Sequence, residues 1–182
     1  MPMTTTHALL PIAVAVAVAR RPVPWRLVLV AAAAAAAPDV DGLFKKLGVP
    51  AHSIIAHRGV THSLFAALIA GLLAAALHKH LRVRALTAGL LVGAAMASHG
   101  MLDMMTDGGR GVAYFWPFSS ARWFADWRWI HSTAVHRRTL FSDVQVRLRL
   151  ELWQLIIPMF AAALAVRLVR WARGSSPEAS RT

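Results

Sequence analysis

The sequence predicts an all-α integral membrane protein, a bundle of about five membrane helices, on three observations. The chain of 182 residues is 57% apolar and 15% charged, where ordinary globular domains run nearer 45–50% and about 25%. Its mean hydropathy is +0.51. Its apolar residues fall in five stretches, Ala8 to Ala19, Leu27 to Ala37, Leu64 to Leu77, Ala85 to Met105 and Leu152 to Val166. The little polar surface available cannot wrap so much Ala, Leu and Val, which argues against a water-soluble domain or a disordered chain. Residues 1–173 are expected to form a single transmembrane domain.

A spanning helix needs roughly 20 residues, and only the fourth stretch is that long by itself. The others reach a workable length by taking in polar ends: Thr4 and His7 before the first, Asp39 and Asp41 after the second, His57 and His62 before the third. These groups would then lie at membrane depth, where ionisable residues are costly unless they pair or bind something. Re-entrant hairpins are the alternative for the short stretches. Arg20 and Arg21 follow the first apolar run, whereas a cleaved signal peptide carries its basic residues ahead, so a retained helix is expected. Gly89 and Gly93 stand at small-xxx-small spacing, which lets helices approach closely.

Residues 106–150 read as an interfacial aromatic and basic segment. Eight aromatics occupy the sixteen positions from Tyr114 to Trp129, which suits a belt at the membrane–water boundary. Residues 174–182 read as a short disordered tail.

If all five stretches cross, the chain's parity puts His7, Asp39, Asp41, His57, His62, His99 and Asp103 on one side. The turns of the other side, Arg20 to Arg26 and Lys79 to Arg84, each carry three basic residues, and the tail adds Arg167, Arg170 and Arg173. Short basic turns face the cytoplasm, which would turn the polar cluster outward. The net charge of +12, from 20 Lys and Arg against 8 Asp and Glu, follows from this clustering, and no nucleic-acid partner is expected. The oligomeric state is open.

The chain has no Cys, so it can hold neither a disulfide nor a thiolate metal site, and any metal must rest on His, Asp or Glu. His99 and Asp103 are four apart on a long helix and share a face. They could take one ion, or form an ordinary buried pair. Asp39 and Asp41 lie in Pro38-Asp39-Val40-Asp41-Gly42, where Pro and Gly would stop the helix and turn the chain. The turn itself could use both acids. A bound cation would otherwise offset their place at a negative dipole end. In His57-Arg58-Gly59-Val60-Thr61-His62-Ser63, an approach turn followed by Thr61 as helix cap would let both imidazoles converge and leave Arg58 as a fork for phosphate or carboxylate. Together four His and three Asp would meet at four helix ends. Such an oxygen and nitrogen set suits one or two divalent ions, zinc first, with manganese or iron as alternatives.

The strings TTTH at 4–7, PDVD at 38–41, HRGVTHS at 57–63, SHGMLDMMT at 98–106 and FWPF at 115–118 resemble those of the LexA-regulated, membrane-bound, predicted metal-dependent hydrolases. The resemblance covers about residues 4–120. It implies a bacterial inner-membrane multi-pass protein with metal ligands at His7, Asp39, His62, His99 and Asp103, with Asp41 and His57 as further candidates. The His-xxx-Asp element is more distantly similar to the helical zinc-dependent phospholipases C, which implies phosphoester cleavage.

Two other enzyme classes are excluded by the residues present. Val92 and Gly93 stand where phosphohistidine lipid phosphatases carry Ser-Arg, and no G-x-S-x-G elbow is present to expose a serine nucleophile. The expectation is therefore a hydrolase in which a metal activates water, Asp41 is the general base, Arg58 steadies developing charge and His57 assists. The substrate would be a membrane lipid or lipid-linked phosphate, with Asp107 and Arg110 at the rim of the entrance. A non-catalytic metal-binding, scaffold or ion-moving protein is the alternative.

Overall fold

A computed structural model describes residues 2–18, 23–130 and 140–174. It is all-helical, and among the described residues only two isolated bridges, Thr106 with Ile130 and Val112 with Trp123, have β character. The helices in chain order are α1 (Thr4–Val18), α2 (Trp25–Ala36), α3 (Gly42–Lys46), α4 (Leu64–Ala76), α5 (His78–Leu81), α6 (Ala85–Met104), α7 (Leu140–Glu151) and α8 (Ile157–Gly174). Among the described residues, each of the five apolar stretches forms a helix for most of its length.

Three spans are long and apolar enough to cross a bilayer among the described residues: Trp25–Lys46, Ala85–Met104 and Leu148–Arg173. Thr4–Ala17 and Leu64–Ala76 are shorter apolar helices. Two of the long spans exceed the sequence expectation, for local reasons. Pro38 and Gly42 do not turn the chain out of α2. The backbone tightens into a 3₁₀ turn over Ala37–Asp41 and resumes as α3, because a proline in the first turn of a new helical segment needs no N–H partner. At the other end, α7 runs into α8 through a π-helical turn, Leu152–Ile156. Pro158 follows directly, and the widened turn relieves the clash of its ring with the preceding turn. The last part of the segment 106–150 is the helix α7, and α8 ends at Gly174. Residues 175–182, Arg20 and Arg21, and His131 and His136 lie outside the described residues.

Packing follows residue size. α4 lies on α6, α6 on α2, α2 on α1, and α1 on α8. Leu27, Ala31 and Ala35 of α2 form the core with Ala74, Leu81, Ala88, Val92 and Ala95. Larger side chains, among them Leu29, Leu68, Leu72, Leu90, Leu164 and Leu168, point outward. A small-residue interior beneath a leucine surface is the arrangement of helices solvated by lipid. The α4–α6 approach is close: a Cβ on Gly71 would stand 2.8 Å from the Gly89 carbonyl oxygen, and one on Gly93 would stand 3.3 Å from that of Ala67. The sequence pair Gly89 and Gly93 does set this approach, with Gly71 as its partner.

Candidate metal centre

The bundle brings the predicted polar residues to one end. His99 and Asp103, one turn apart on α6, are fully buried. α1 brings in His7, whose ring stacks on that of His99 with centroids 3.7 Å apart and whose Nε2 is 3.7 Å from Asp103 Oδ1. The 3₁₀ turn after α2 brings Asp39, whose Oδ1 is 3.5 Å from His99 Nε2. A second 3₁₀ turn, Val60–His62, places His62 Nε2 3.6 Å from Asp103 Oδ2 and 3.0 Å from His99 Nε2. Gly100 permits this crowding, because a Cβ there would stand 2.5 Å from the His62 carbonyl.

Hydrogen bonds on the far side of two imidazoles set their tautomers. His99 Nδ1 is 2.7 Å from the Ala35 carbonyl, which can only accept, so the proton of a neutral His99 sits on Nδ1. His62 Nδ1 is 3.1 Å from Asp41 Oδ2, which fixes the same tautomer. Both Nε2 lone pairs then point inward at each other, and only a positive charge between or beside them relieves the repulsion. A proton could serve that one pair. It would leave His7 Nδ1 and Nε2, Asp39 Oδ1 and Asp103 Oδ1 buried without hydrogen bonds, and orphaned buried polar groups of this kind each cost on the order of 1–3 kcal/mol. A divalent cation answers to the whole set. Donors at roughly 2.0–2.3 Å from one ion stand about 3–3.7 Å apart, the range of the separations above. The donors fall into two groups, His7 with His99 and Asp103, and Asp39 with His57 and His62, each with ligand atoms within 4.8 Å of one another. The residues present therefore fit one or two ions.

The other predicted site residues form a supporting layer. Asp41 was expected as a general base, but both its oxygens are engaged: Oδ1 is 2.6 Å from His57 Nδ1, while Oδ2 receives the Thr61 hydroxyl and faces His62. Its position is that of a carboxylate that orients the His62 imidazole from outside the cluster. Thr61 is accordingly not the helix cap. Ser63 is, its Oγ accepting from the Ala66 N–H at 3.1 Å.

Arg58 was expected to be an open fork for phosphate or carboxylate. Its guanidinium is instead buried and committed to protein, with Nε 3.0 Å from Asp103 Oδ2, Nη1 donating to the Gly108 carbonyl at 2.8 Å and Nη2 to Thr106 Oγ1 at 3.0 Å. The Arg58 backbone is left-handed, with φ 66°. That conformation costs a non-glycine residue roughly 1–2 kcal/mol and turns the side chain inward. Gly109, at φ +92°, is the matching position, since a Cβ would stand 2.6 Å from Arg58 Nη1. His57 is the most accessible of the histidines gathered here, its side chain 29% exposed.

Three further residues contribute, Thr4 and Thr106 from within the motif strings and Glu151, which sequence reasoning missed. Thr4 donates to Asp39 Oδ2 at 2.6 Å, Thr106 supports Arg58, and Glu151 holds the first helix in place. Glu151 Oε1 accepts from the Met3 N–H at 2.6 Å and Oε2 accepts from the Thr6 hydroxyl, next to His7. Its signal was an acid set at the head of the last apolar run. Asp107 and Arg110 are exposed beyond Thr106. His78 lies apart from this site and bonds the Val83 carbonyl.

The segment from Thr106 to Ile130 closes the end of the bundle over these residues. Ala113 N–H donates to the Arg58 carbonyl at 3.0 Å and Leu64 N–H to that of Tyr114 at 2.9 Å. Arg122 donates to the carbonyls of His57 and Ser53. Burial, with Arg110 close by, lowers its pKa, although a guanidinium stays charged. Phe118 and Trp127 project outward.

Comparison with known proteins agrees with this membrane architecture. Inner membrane protein YbcI of Escherichia coli (strain K12) is 35% identical over 129 residues, covering 70% of this chain and 75% of the relative. No solved structure matches. The family model described as YdjM inner membrane protein matches residues 1–174. On that match, spanning nearly the whole chain, the protein belongs to the YdjM inner membrane protein family.

Proposed function

We propose that this protein is a multi-pass, membrane-embedded, metal-dependent hydrolase that cleaves phosphoester bonds in a lipid or other amphiphilic substrate, with its site toward the outer face. One observation carries the reading: imidazole nitrogens and carboxylate oxygens converge in a buried cluster in which His7 Nδ1 and Nε2, Asp39 Oδ1 and Asp103 Oδ1 have no protein hydrogen bond. The resemblance to predicted metal-dependent hydrolases points the same way.

His7, Asp39, His62, His99 and Asp103 would hold one or two divalent ions, zinc first. A bound ion of this kind supplies Lewis acidity and a water whose pKa lies near neutrality. Asp41 fixes the His62 ring and tautomer, and Arg58 holds Asp103 by charge. His57, held by Asp41 through Nδ1 and the most accessible of these histidines, would assist proton transfer. The cluster lies among helix ends beneath exposed aromatics, so an amphiphile resting in the bilayer surface reaches it without leaving the membrane.

A structural metal site is the second reading, favoured by the commitment of Arg58 and Asp41 to protein partners. Elemental analysis of detergent-purified protein beside His62→Ala and Asp103→Ala, with phosphate release from long-chain phosphate esters measured on the same samples, tests both. Wild type holding metal that both variants lose, together with phosphate release, supports the hydrolase. Metal without release supports the structural site. Equally little metal in all three proteins removes the basis of either.

A further inference from the structure

A cavity of about 300 Å³ opens between α1, α2 and α6. Apart from Ser98 its lining is wholly apolar. Its position relative to the metal centre is regular on all three helices. Leu10 lies three residues beyond His7, Ala31 four before Ala35, whose carbonyl holds His99, and Ala95 four before His99. Residues at that spacing share a helix face one turn apart. Val14, Leu27 and Leu91, lining the same cavity, form the next layer, a further turn away. The groove therefore starts beside the buried His and Asp cluster, at Ser98 next to His99, and continues along α6 to Leu91, seven residues or roughly 10 Å at 1.5 Å per residue. That length approaches the depth of one leaflet's hydrocarbon, about half of the roughly 30 Å core.

We propose that this groove is the tail slot of the substrate: it takes one hydrocarbon chain of a lipid phosphate whose head group lies at the His and Asp cluster. The assignment of the head group rests on the hydrolase reading. Contiguity selects this occupant. A chain in the groove runs parallel to its neighbours in the leaflet, and its polar end emerges at the donors rather than at bulk water. A polar or doubly charged ligand finds no partner below the first layer.

The test uses decyl phosphate carrying a photoactivated diazirine either beside the phosphate or on the terminal carbon, added to full-length protein in phosphatidylcholine nanodiscs, with crosslinks mapped by mass spectrometry. The expected result is ordered labelling: the head-proximal probe marks the Leu10, Ala31 and Ala95 layer, the terminal probe marks the Val14, Leu27 and Leu91 layer, and unlabelled decyl phosphate competes with both. Two fillings from opposite walls, Ala94→Phe and Val14→Trp, both at exposed positions lining the groove, should each reduce labelling about tenfold, the effect of overpacking by roughly 1.4 kcal/mol, while metal content stays at the wild-type level. Labelling that ignores the diazirine position, or that neither competitor nor either filling diminishes, would mean bulk lipid bathing the helices and overturns the proposal. Metal content separates the two claims. Ordered labelling of a protein that binds no metal supports the slot and sinks the hydrolase, whereas disordered labelling of a metal-loaded protein sinks the slot alone.

Discussion

His62 Nε2 and His99 Nε2 face each other at 3.0 Å although each ring already directs its Nδ1 proton elsewhere, one to Asp41 and the other to the Ala35 carbonyl. Two lone pairs at that distance call for a proton or a metal ion between or beside them, and the surrounding carboxylates of Asp39 and Asp103 carry the negative charge that would match a metal ion. The predictions below follow from this relationship and from the layer that enforces it.

Removal of the ion should destabilise the wild type and leave ligand variants unmoved. A ligand at a hundred times its Kd stabilises by about 2.7 kcal/mol, so EDTA should lower the thermal midpoint of detergent-purified protein and added zinc should restore it. In His62→Ala and Asp103→Ala neither treatment should shift the midpoint. Equal shifts in all three proteins would assign the effect to something other than this site.

Asp41→Asn keeps the shape of the side chain but weakens the hold on the His62 tautomer. Loss of such an outer partner typically lowers metal affinity about 10–100-fold, which competition with a chromogenic chelator would measure. Unchanged affinity with lost turnover would instead return Asp41 to the role of general base.

Arg58→Met removes the cation that balances Asp103. Breaking a buried ion pair from one side costs about 3–5 kcal/mol, and a bound ion should offset part of that loss. The variant should therefore be more destabilised in EDTA than in zinc, as read by thermal unfolding under both conditions. A similar loss under both would show that Arg58 acts through Thr106 and Gly108 rather than through the Asp103 charge.

Gly71→Val tests whether the α4–α6 approach positions the site. A side chain there collides with the Gly89 carbonyl, and overpacking of this kind costs about 1–3 kcal/mol. Because His62 precedes α4 and His99 lies on α6, the variant should also bind metal more weakly. Gly42→Ala, with nothing within 4 Å of the added Cβ, is the control, and it should match wild type in both measurements.

Much of the fold was legible in the chain because hydropathy and helix length are local properties. The apolar runs became α1, α2, α4, α6 and α8, and the small-residue spacing at Gly89 and Gly93 marked a close helix–helix contact. Asp39 and Asp41 were legible as site residues but not in their settings. Pro38 reads as a helix stop, whereas packing against α1 and α6 carries the chain on through a 3₁₀ turn.

What the sequence by itself determined was which residues are too polar for their surroundings: His7, Asp39, Asp41, His57, Arg58, His62, His99 and Asp103 stand at the ends of runs that lipid must solvate. Only the tertiary structure decided how they divide the work. It turned Asp41 and Arg58 into supports and left five residues with inward-facing donors. It recruited Glu151 from the far end of the chain and set an apolar groove beside the cluster. The physical reason is that hydropathy accumulates residue by residue along the chain, while the partner of a lone pair depends on ångström-scale distances between helices that only their packing sets.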